Sequence, residues 1–442
     1  MKKLFFVIFL ISMLAACTPA QTAEPTSTQT PSPTATLTLP PSPTQGFPTL
    51  TPTQTPPPTT TPLPDTLPVF PMENYVMLYR QDGTLYFQDG ENKPVELAQL
   101  IARNSELFQP DTLLSDDYQK AIFFRSDGNF YSVNTDGSGE RIVIPKSWVE
   151  EIGADAKVWT VEFIPNTHML FLLIRNCTLP RDDSPCPIFA FRVNTDTGEI
   201  RKIADLGDNY CSRGRCIRIS PNGKMFAIGT NNDIKIYNLD GVLIHGDILP
   251  YTPYKESNLY PSLFWLPDSI GLIVALPDTF YTTQSHGDYT AHTMWRYDID
   301  SDTAIQIYLN PPPWEQSFAV SPNGKWVAYG GYSDPTLYLG NLDSGTVSVF
   351  GRDSSHPSFF WSSNSQHLIA GWRVFTSLTK PYYETPQAVE WIDDKRFIVA
   401  VPLQTRTLIG EIVDGEVFFY EWGFQKGLFI PDYINRKYSN EQ

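Results

Sequence analysis

At 442 residues the chain has room for two or three average domains or for one long repeat array, so its length alone does not decide the domain count. Hydrophobic residues at 41% and aromatics at 13%, including 10 Trp and 22 Tyr, supply ample apolar area for a large core, which excludes a globally disordered chain. Lys and Arg number 32 against 48 Asp and Glu, a net charge of −16; a surface this acidic repels phosphate backbones and anionic headgroups and argues against a nucleic-acid partner.

Lys2 and Lys3 precede an unbroken apolar run from Leu4 to Ile11, which continues to Ala16 with Ser12 as its only polar interruption and then meets Cys17. This is the charged start and short apolar stretch of a secretory signal, too short for a lasting membrane span. Leu14-Ala15-Ala16-Cys17 resembles the lipobox of bacterial lipoproteins. That resemblance implies cleavage before Cys17, lipidation of its sulfur and acylation of the new N-terminus. The chain is then expected in the cell envelope, anchored on the extracytoplasmic side of a membrane. Each buried methylene contributes about 0.8 kcal/mol, so two or three acyl chains make a lasting anchor. An ordinary signal with a chance Cys is the alternative, and it would release the protein to the medium. Removing residues 1–16 takes away Lys2 and Lys3, leaving 30 basic against 48 acidic side chains, or −18.

Residues 17–71 form the next segment. From Thr18 to Pro71 the chain is dominated by Thr, Pro, Ser and Gln, holds 16 of the 39 prolines, and has Glu24 and Asp65 as its only charges. It has no apolar period to bury, and its prolines favour extended polyproline II. The expectation is a disordered stalk that, at roughly 3.1 Å per residue, reaches on the order of 150 Å when fully extended.

Residues 72–442 read as an all-β body: short apolar or aromatic strands punctuated by Gly, Asn, Asp and Pro, with no long 3.6-residue periodicity. One unit recurs, most clearly in ISPNGKMFAIG (Ile219 to Gly229) and VSPNGKWVAYG (Val320 to Gly330). Looser copies are VEFIPNTHMLFLL from Val161, FWLPDSIGLIVAL from Phe264, FWSSNSQHLIAGW from Phe360 and VEWIDDKRFIVAV from Val389. After most copies a third strand ends in an Asx-rich turn, as in NTDGSG at Asn134 and NLDSG at Asn341, and a fourth strand follows. Asn, Asp and Gly tolerate the positive φ that tight hairpins need, so the spacing has a physical meaning. Four antiparallel strands recurring every 40 to 55 residues or so is the period of β-propeller blades.

The units resemble the propeller repeat of the TolB-like family, an apolar residue followed by Ser-Pro-Asp-Gly-Lys and an apolar strand. Asn222 and Asn323 stand here in place of the usual Asp. The resemblance is to the repeat and covers nearly all of residues 75–422. Eight second strands begin near Tyr75, Ala121, Met169, Lys224, Ile270, Lys325, His367 and Arg396, but the seventh is followed too soon by the eighth for a full blade. Seven or eight blades both fit. The first unit opens on its second strand, so a C-terminal strand within Leu428 to Ile434 is expected to complete it and close the ring, removing exposed sheet edges.

In a propeller the connections from second to third strand, and from one blade to the next, emerge on one face. Here that class holds the long insertions: Asn176 to Pro187, Leu206 to Arg215, Pro250 to Pro261, Pro277 to His292, Asn310 to Gln316 and Arg373 to Pro386. Loops carry function more often than the scaffold, so this face is the expected binding face. Its candidates are Tyr210, Arg213, Tyr251, Tyr254, Tyr260, Phe280, Tyr281, His286, Tyr289, Trp314, Tyr382 and Tyr383. Tyr-rich loops suit contact with a protein, peptide or glycan because each ring brings large area at low entropic cost. The competing reading is that these aromatics pack locally.

Besides Cys17 there are four cysteines, an even number in a chain read as exported, which favours disulfides. Cys177 and Cys186 bracket CTLPRDDSPC, and Cys211 and Cys216 bracket CSRGRC. Local pairing is expected, although four cysteines allow three connectivities. A zinc site is disfavoured because no tight C-x-x-C occurs. Asp298, Asp300 and Asp302 alternate as in a calcium loop, but Thr303 and Leu309 stand where that loop needs its Gly and closing acid. His286 and His292 have no evident third ligand, and no metal or cofactor is expected. There is no G-x-S-x-G elbow, and SPNGKW at Ser321 lacks the Asp of the sialidase-type box. Two hypotheses follow: a displayed, non-enzymatic binding module, or a glycan-active hydrolase whose two carboxylates come from separate blades and so leave no local motif.

Overall fold

This computed structural model describes residues 67–100, 112–177, 186–209, 216–230, 233–249, 251, 261–277, 292–310, 313, 318–330, 336–352, 358–378, 382–385, 388–401, 406–422 and 433–436. The chain falls into two compact units, 1–51 and 52–442, and every described residue lies in the second.

The alternating apolar segments form eight four-stranded antiparallel sheets, and the one helix among the described residues is the short Lys146–Ile152. Each sheet is a meander, and its strands are called A to D in order. Blades 2 to 8 span 112–144, 156–209, 217–245, 262–307, 318–352, 359–384 and 388–421. Blade 1 takes strands B to D from 75–99, and Tyr433–Arg436 supplies its A strand, with Ile434 opposite Met77. The expected C-terminal closing strand therefore exists, running two residues past the expected limit. A strands of successive blades touch, as Ile217–Ile219 does Ser262–Trp265 and Phe318–Val320 does Phe359–Trp361, so the A strands are the inner ones of an eight-bladed propeller.

The repeated SPNGK segment is the A–B turn, and its side chains explain its spacing. Ser220 Oγ donates to Asn222 Oδ1 at 2.8 Å, while the Lys224 and Met225 N–H groups donate to Asn222 Oδ1 and Ser220 Oγ, each at 3.0 Å. The same staple recurs at Ser321 and Asn323, at Ser362 and Asn364, and at Ser115 and Asp117. In every copy Oδ1 only accepts, so Asn performs the task of the family's Asp without a charge. Gly223 follows at φ 65°, and a Cβ there would stand 2.8 Å from the carbonyl oxygen of Pro165 in blade 3.

Blades pack face to face. Each gap between neighbours holds an apolar cluster, from Leu78, Phe87 and Phe123 between blades 1 and 2 to Tyr75, Met77, Ile398 and Ile409 between blades 8 and 1. A single blade has two apolar faces and cannot bury both, and closure of the ring leaves no face open.

Three boundaries differ from expectation. Blade 7 is complete, because its strands are three residues each: Phe359–Trp361, Leu368–Ala370, Arg373–Phe375 and Tyr382–Glu384. Gly371, at φ 58°, reverses the chain between B and C with Trp372, and Phe359, Leu368, Ala370 and Phe375 pack on Ala328 and Leu337 of blade 6. The segment from Arg373 to Pro386, expected as a long loop, thus holds the C and D strands. Leu206 likewise belongs to the D strand Ile200–Asn209 of blade 3. Finally, the end of the expected stalk is part of the body: the Phe70 N–H donates to the Glu421 carbonyl at 2.9 Å, the Glu421 N–H to the Pro68 carbonyl at 2.8 Å, and Phe70 is buried.

Candidate functional site

Strand direction sorts the connections. A–B turns such as 220–224 and 321–325, and C–D turns such as 195–199 and 414–415, are all short and lie on one face. B–C and D–A connections lie on the other and include 100–111, 177–185, 246–261, 278–291, 308–317 and 422–432. Asx side chains close the short face: Asn194, Asn238 and Asn341 each accept two backbone N–H bonds in their C–D turns. In the DIDSDT turn Asp298 accepts from the N–H and hydroxyl of Ser301, and these bonds hold its carboxyl below the ordinary value. That carboxylate serves the hairpin rather than a cation.

Topology brings 246–261 and 278–291 to the same face, and with them most of the expected binding residues. Tyr210, Arg213, Tyr254, Tyr260, Phe280, Tyr281, His286, Tyr289, Trp314 and Cys211 lie outside the described residues. Tyr251 is half-buried against the cluster of blades 4 and 5, and its hydroxyl donates to the Thr230 carbonyl. Tyr382 and Tyr383 sit in the outer strand of blade 7. Arg373 lies 5.0 Å over the Tyr382 ring, and the Tyr383 hydroxyl donates to Glu416 of blade 8. Burial first, and that bond second, push the Tyr383 phenol up to about 12. Cys177 directly follows the B strand of blade 3 and Cys186 begins its C strand. The ladder pairs Ile188 with Arg175, so one further step in each direction sets Cys186 opposite Cys177. Cys216 is buried at the entrance to blade 4.

The inner strands hold charges that motif reasoning passed over. Register places one residue of each A strand on a common rung: Leu113, Glu162, Arg218, Phe264, Ala319, Phe360, Glu390 and Ile434 for blades 2 to 8 and then 1. Burial pushes the Glu162 carboxyl up against the pull of the neighbouring Arg218, and burial lowers the Arg218 guanidinium against the pull of Glu162. Burial alone raises the Glu390 carboxyl. The available signal was a charged residue within an otherwise apolar A strand, as in VEF, IRI and VEW. Among the described residues, no group of three or more His, Cys, Asp or Glu is placed to hold a metal, and no helix is long and apolar enough to cross a membrane.

No protein-family profile matches the chain, and no curated protein sequence does. Solved structures do. An oligogalacturonate lyase in complex with manganese is 15% identical, with 72% of this chain and 86% of that chain covered and a TM-score of 0.46. Porphyromonas gingivalis dipeptidyl peptidase 4 is 10% identical over 72% of this chain and 53% of that one, with a TM-score of 0.48. TolB from Acinetobacter baumannii is 12% identical over 82% of each chain, with a TM-score of 0.33.

Proposed function

We propose that this chain is a lipoprotein anchored through Cys17 on the extracytoplasmic side of a membrane, and that its propeller is a non-enzymatic module binding a protein, peptide or glycan. The observation that carries the reading is the one-sided distribution of connections. One face is closed by short turns stapled to themselves, whereas the other carries every long connection and the Tyr-rich segments 251–260 and 280–289. A stalk rich in Thr and Pro would hold that face away from the membrane. The anchor follows from the signal and lipobox-like segment, and Cys17→Ser should abolish palmitate labelling and membrane retention together.

The same reading assigns disulfides Cys177–Cys186 and Cys211–Cys216, each closing a short loop and contributing roughly 2 to 3 kcal/mol. The strand register supports the first, and peptide mapping without reduction tests both.

A glycan array and a peptide library screened against residues 67–442, with product followed over time, test the function. Saturable binding without turnover, weakened by alanine at Tyr254 and Tyr260 or at Phe280 and Tyr281, supports it. Absence of any saturable ligand that depends on this face overturns it. A glycan-active hydrolase is the second reading, favoured by the raised carboxyls of Glu162 and Glu390 on the inner strands. Cleaved sugar in the time course, lost in Glu162→Gln and Glu390→Gln, would establish it instead.

A further inference from the structure

We infer that the inner ring of the propeller binds an organic cation, a primary ammonium or guanidinium group, at Glu390. This site is separate from the long-connection face and does not rest on it.

Three charged side chains occupy the common rung of the inner strands, and they are not equivalent. Glu162 in blade 3 and Arg218 in blade 4 are neighbours around the ring and compensate each other. Glu390 in blade 8 has no hydrogen-bonding or ionic partner among the described residues. Its side chain is nonetheless exposed, so solvent reaches a carboxylate that surrounding protein desolvates. That combination describes a recess, in which an ion is poorly hydrated and poorly paired, and an incoming cation restores what hydration no longer supplies.

The neighbouring position is suited to the same ligand. Phe360 holds the rung in blade 7 and is 43% exposed, unusual for a large apolar side chain on an inner strand. Its carbonyl accepts from Trp391 Nε1 at 2.8 Å, which ties the strand of Phe360 to that of Glu390. Strand alternation sends Trp391 toward blade 7 and Glu390 to the opposite side of its own sheet. An exposed ring beside an uncompensated carboxylate is the pairing that recognises alkylammonium groups, through the ring face and the charge together. Leu113, Phe264 and Ala319 complete an apolar wall that suits an alkyl stem more than a hydrated metal ion. The net charge of −16 draws cations toward the molecule as a whole.

Titration of the intact chain with butylammonium chloride, read by calorimetry and tryptophan fluorescence against sodium chloride of equal ionic strength, tests this. The expected result is saturable binding with a dissociation constant on the order of 1 mM. Glu390→Gln should weaken it at least about tenfold, and Phe360→Leu about threefold. Glu416→Gln, on the outer strand of blade 8, should leave it unchanged. Circular dichroism and melting establish that each variant is folded. If Glu390→Gln fails to fold, Phe360→Leu repeats the test without altering the charge. No saturable signal up to about 50 mM, or equal affinity in wild type and folded variants, overturns the inference.

Discussion

The indole Nε1 of Trp391 donates a hydrogen bond of 2.8 Å to the carbonyl oxygen of Phe360 across the seam between blades 8 and 7. Trp265 does the same to Arg218 between blades 5 and 4 at 2.9 Å, and Trp361 to Ala319 between blades 7 and 6 at 3.0 Å. Each indole stands one residue after the common rung and caps an inner-strand carbonyl that the neighbouring sheet leaves unpaired. Replacing Trp265 or Trp361 with Phe keeps much of the apolar contact and deletes the donor. Each variant should lose about 1 to 2 kcal/mol, and because the two seams are distinct the losses should add. Urea unfolding of both single variants and the double variant checks this; a double variant no weaker than a single one would refute independent seams.

Gly223 is a second pressure point. Alanine there must adopt φ near 65° and set its Cβ 2.8 Å from the Pro165 carbonyl oxygen, a backbone atom that has no rotamer to escape into. The expected loss is about 1 to 3 kcal/mol, read from the denaturation midpoint. Gly207, at φ 67° but with open space around its Cβ position, should tolerate alanine with a smaller loss.

Phe70 clasps the closing seam. Its ring lies 5.1 Å from that of Tyr75 and 5.9 Å from that of Tyr420, beside a cavity of about 90 Å³ also lined by Arg396 and Glu411. Arg396 binds Glu411 at 2.5 Å, Asp393 at 3.0 Å and the Tyr75 hydroxyl at 2.5 Å, so one guanidinium joins blade 8 to blade 1. Phe70→Ala should cost about 3 to 4 kcal/mol. A chain beginning at residue 72 should melt below one beginning at residue 67, measured by calorimetry.

Acid should act on the seam between blades 2 and 3. Burial tends to raise the Asp117 carboxyl, but bonds from Ser115, His168 and the Gln119 N–H outweigh it and leave the carboxyl below its ordinary value. The bond from Lys120 is the main cause of the lowering at Asp196, with His168 adding to it. A depressed carboxylate contributes stability above its unfolded value, about 3.9, and that contribution is lost as pH falls through the lower folded value. Asp117→Asn and Asp196→Asn should therefore flatten the stability curve below about pH 4. Glu390 carries the opposite sign. Its raised carboxyl penalises the fold as pH rises past about 4.3, so Glu390→Gln should be more stable than wild type at pH 7 and level with it near pH 4. Melting curves across this range check both signs.

The strand–turn–strand units were legible because a hairpin's needs are local. Ser220, Asn222 and Gly223 satisfy one another within a few residues, and the repeat of that triplet at Ser321, Asn323 and Gly324 marks a blade wherever it occurs. The closing strand was legible for a global reason with a local trace, since a unit opening on its second strand must find its first elsewhere. Blade 7 was not legible, because strands of three residues fall below what periodicity resolves. The candidate site was legible only as a class of connections, for Tyr251 and Tyr383 proved to be bound to Thr230 and Glu416 of the scaffold.

What the sequence by itself determined, then, is the repeated hairpin, the all-β class and the count of inner segments, because turn chemistry and alternation act between near neighbours. Only the tertiary structure decided that the blades number eight and that Phe70 belongs to the body. It alone set Glu162, Arg218, Phe360 and Glu390 on one rung, residues up to 228 positions apart (390 − 162), since ring closure is what makes them neighbours around a common axis.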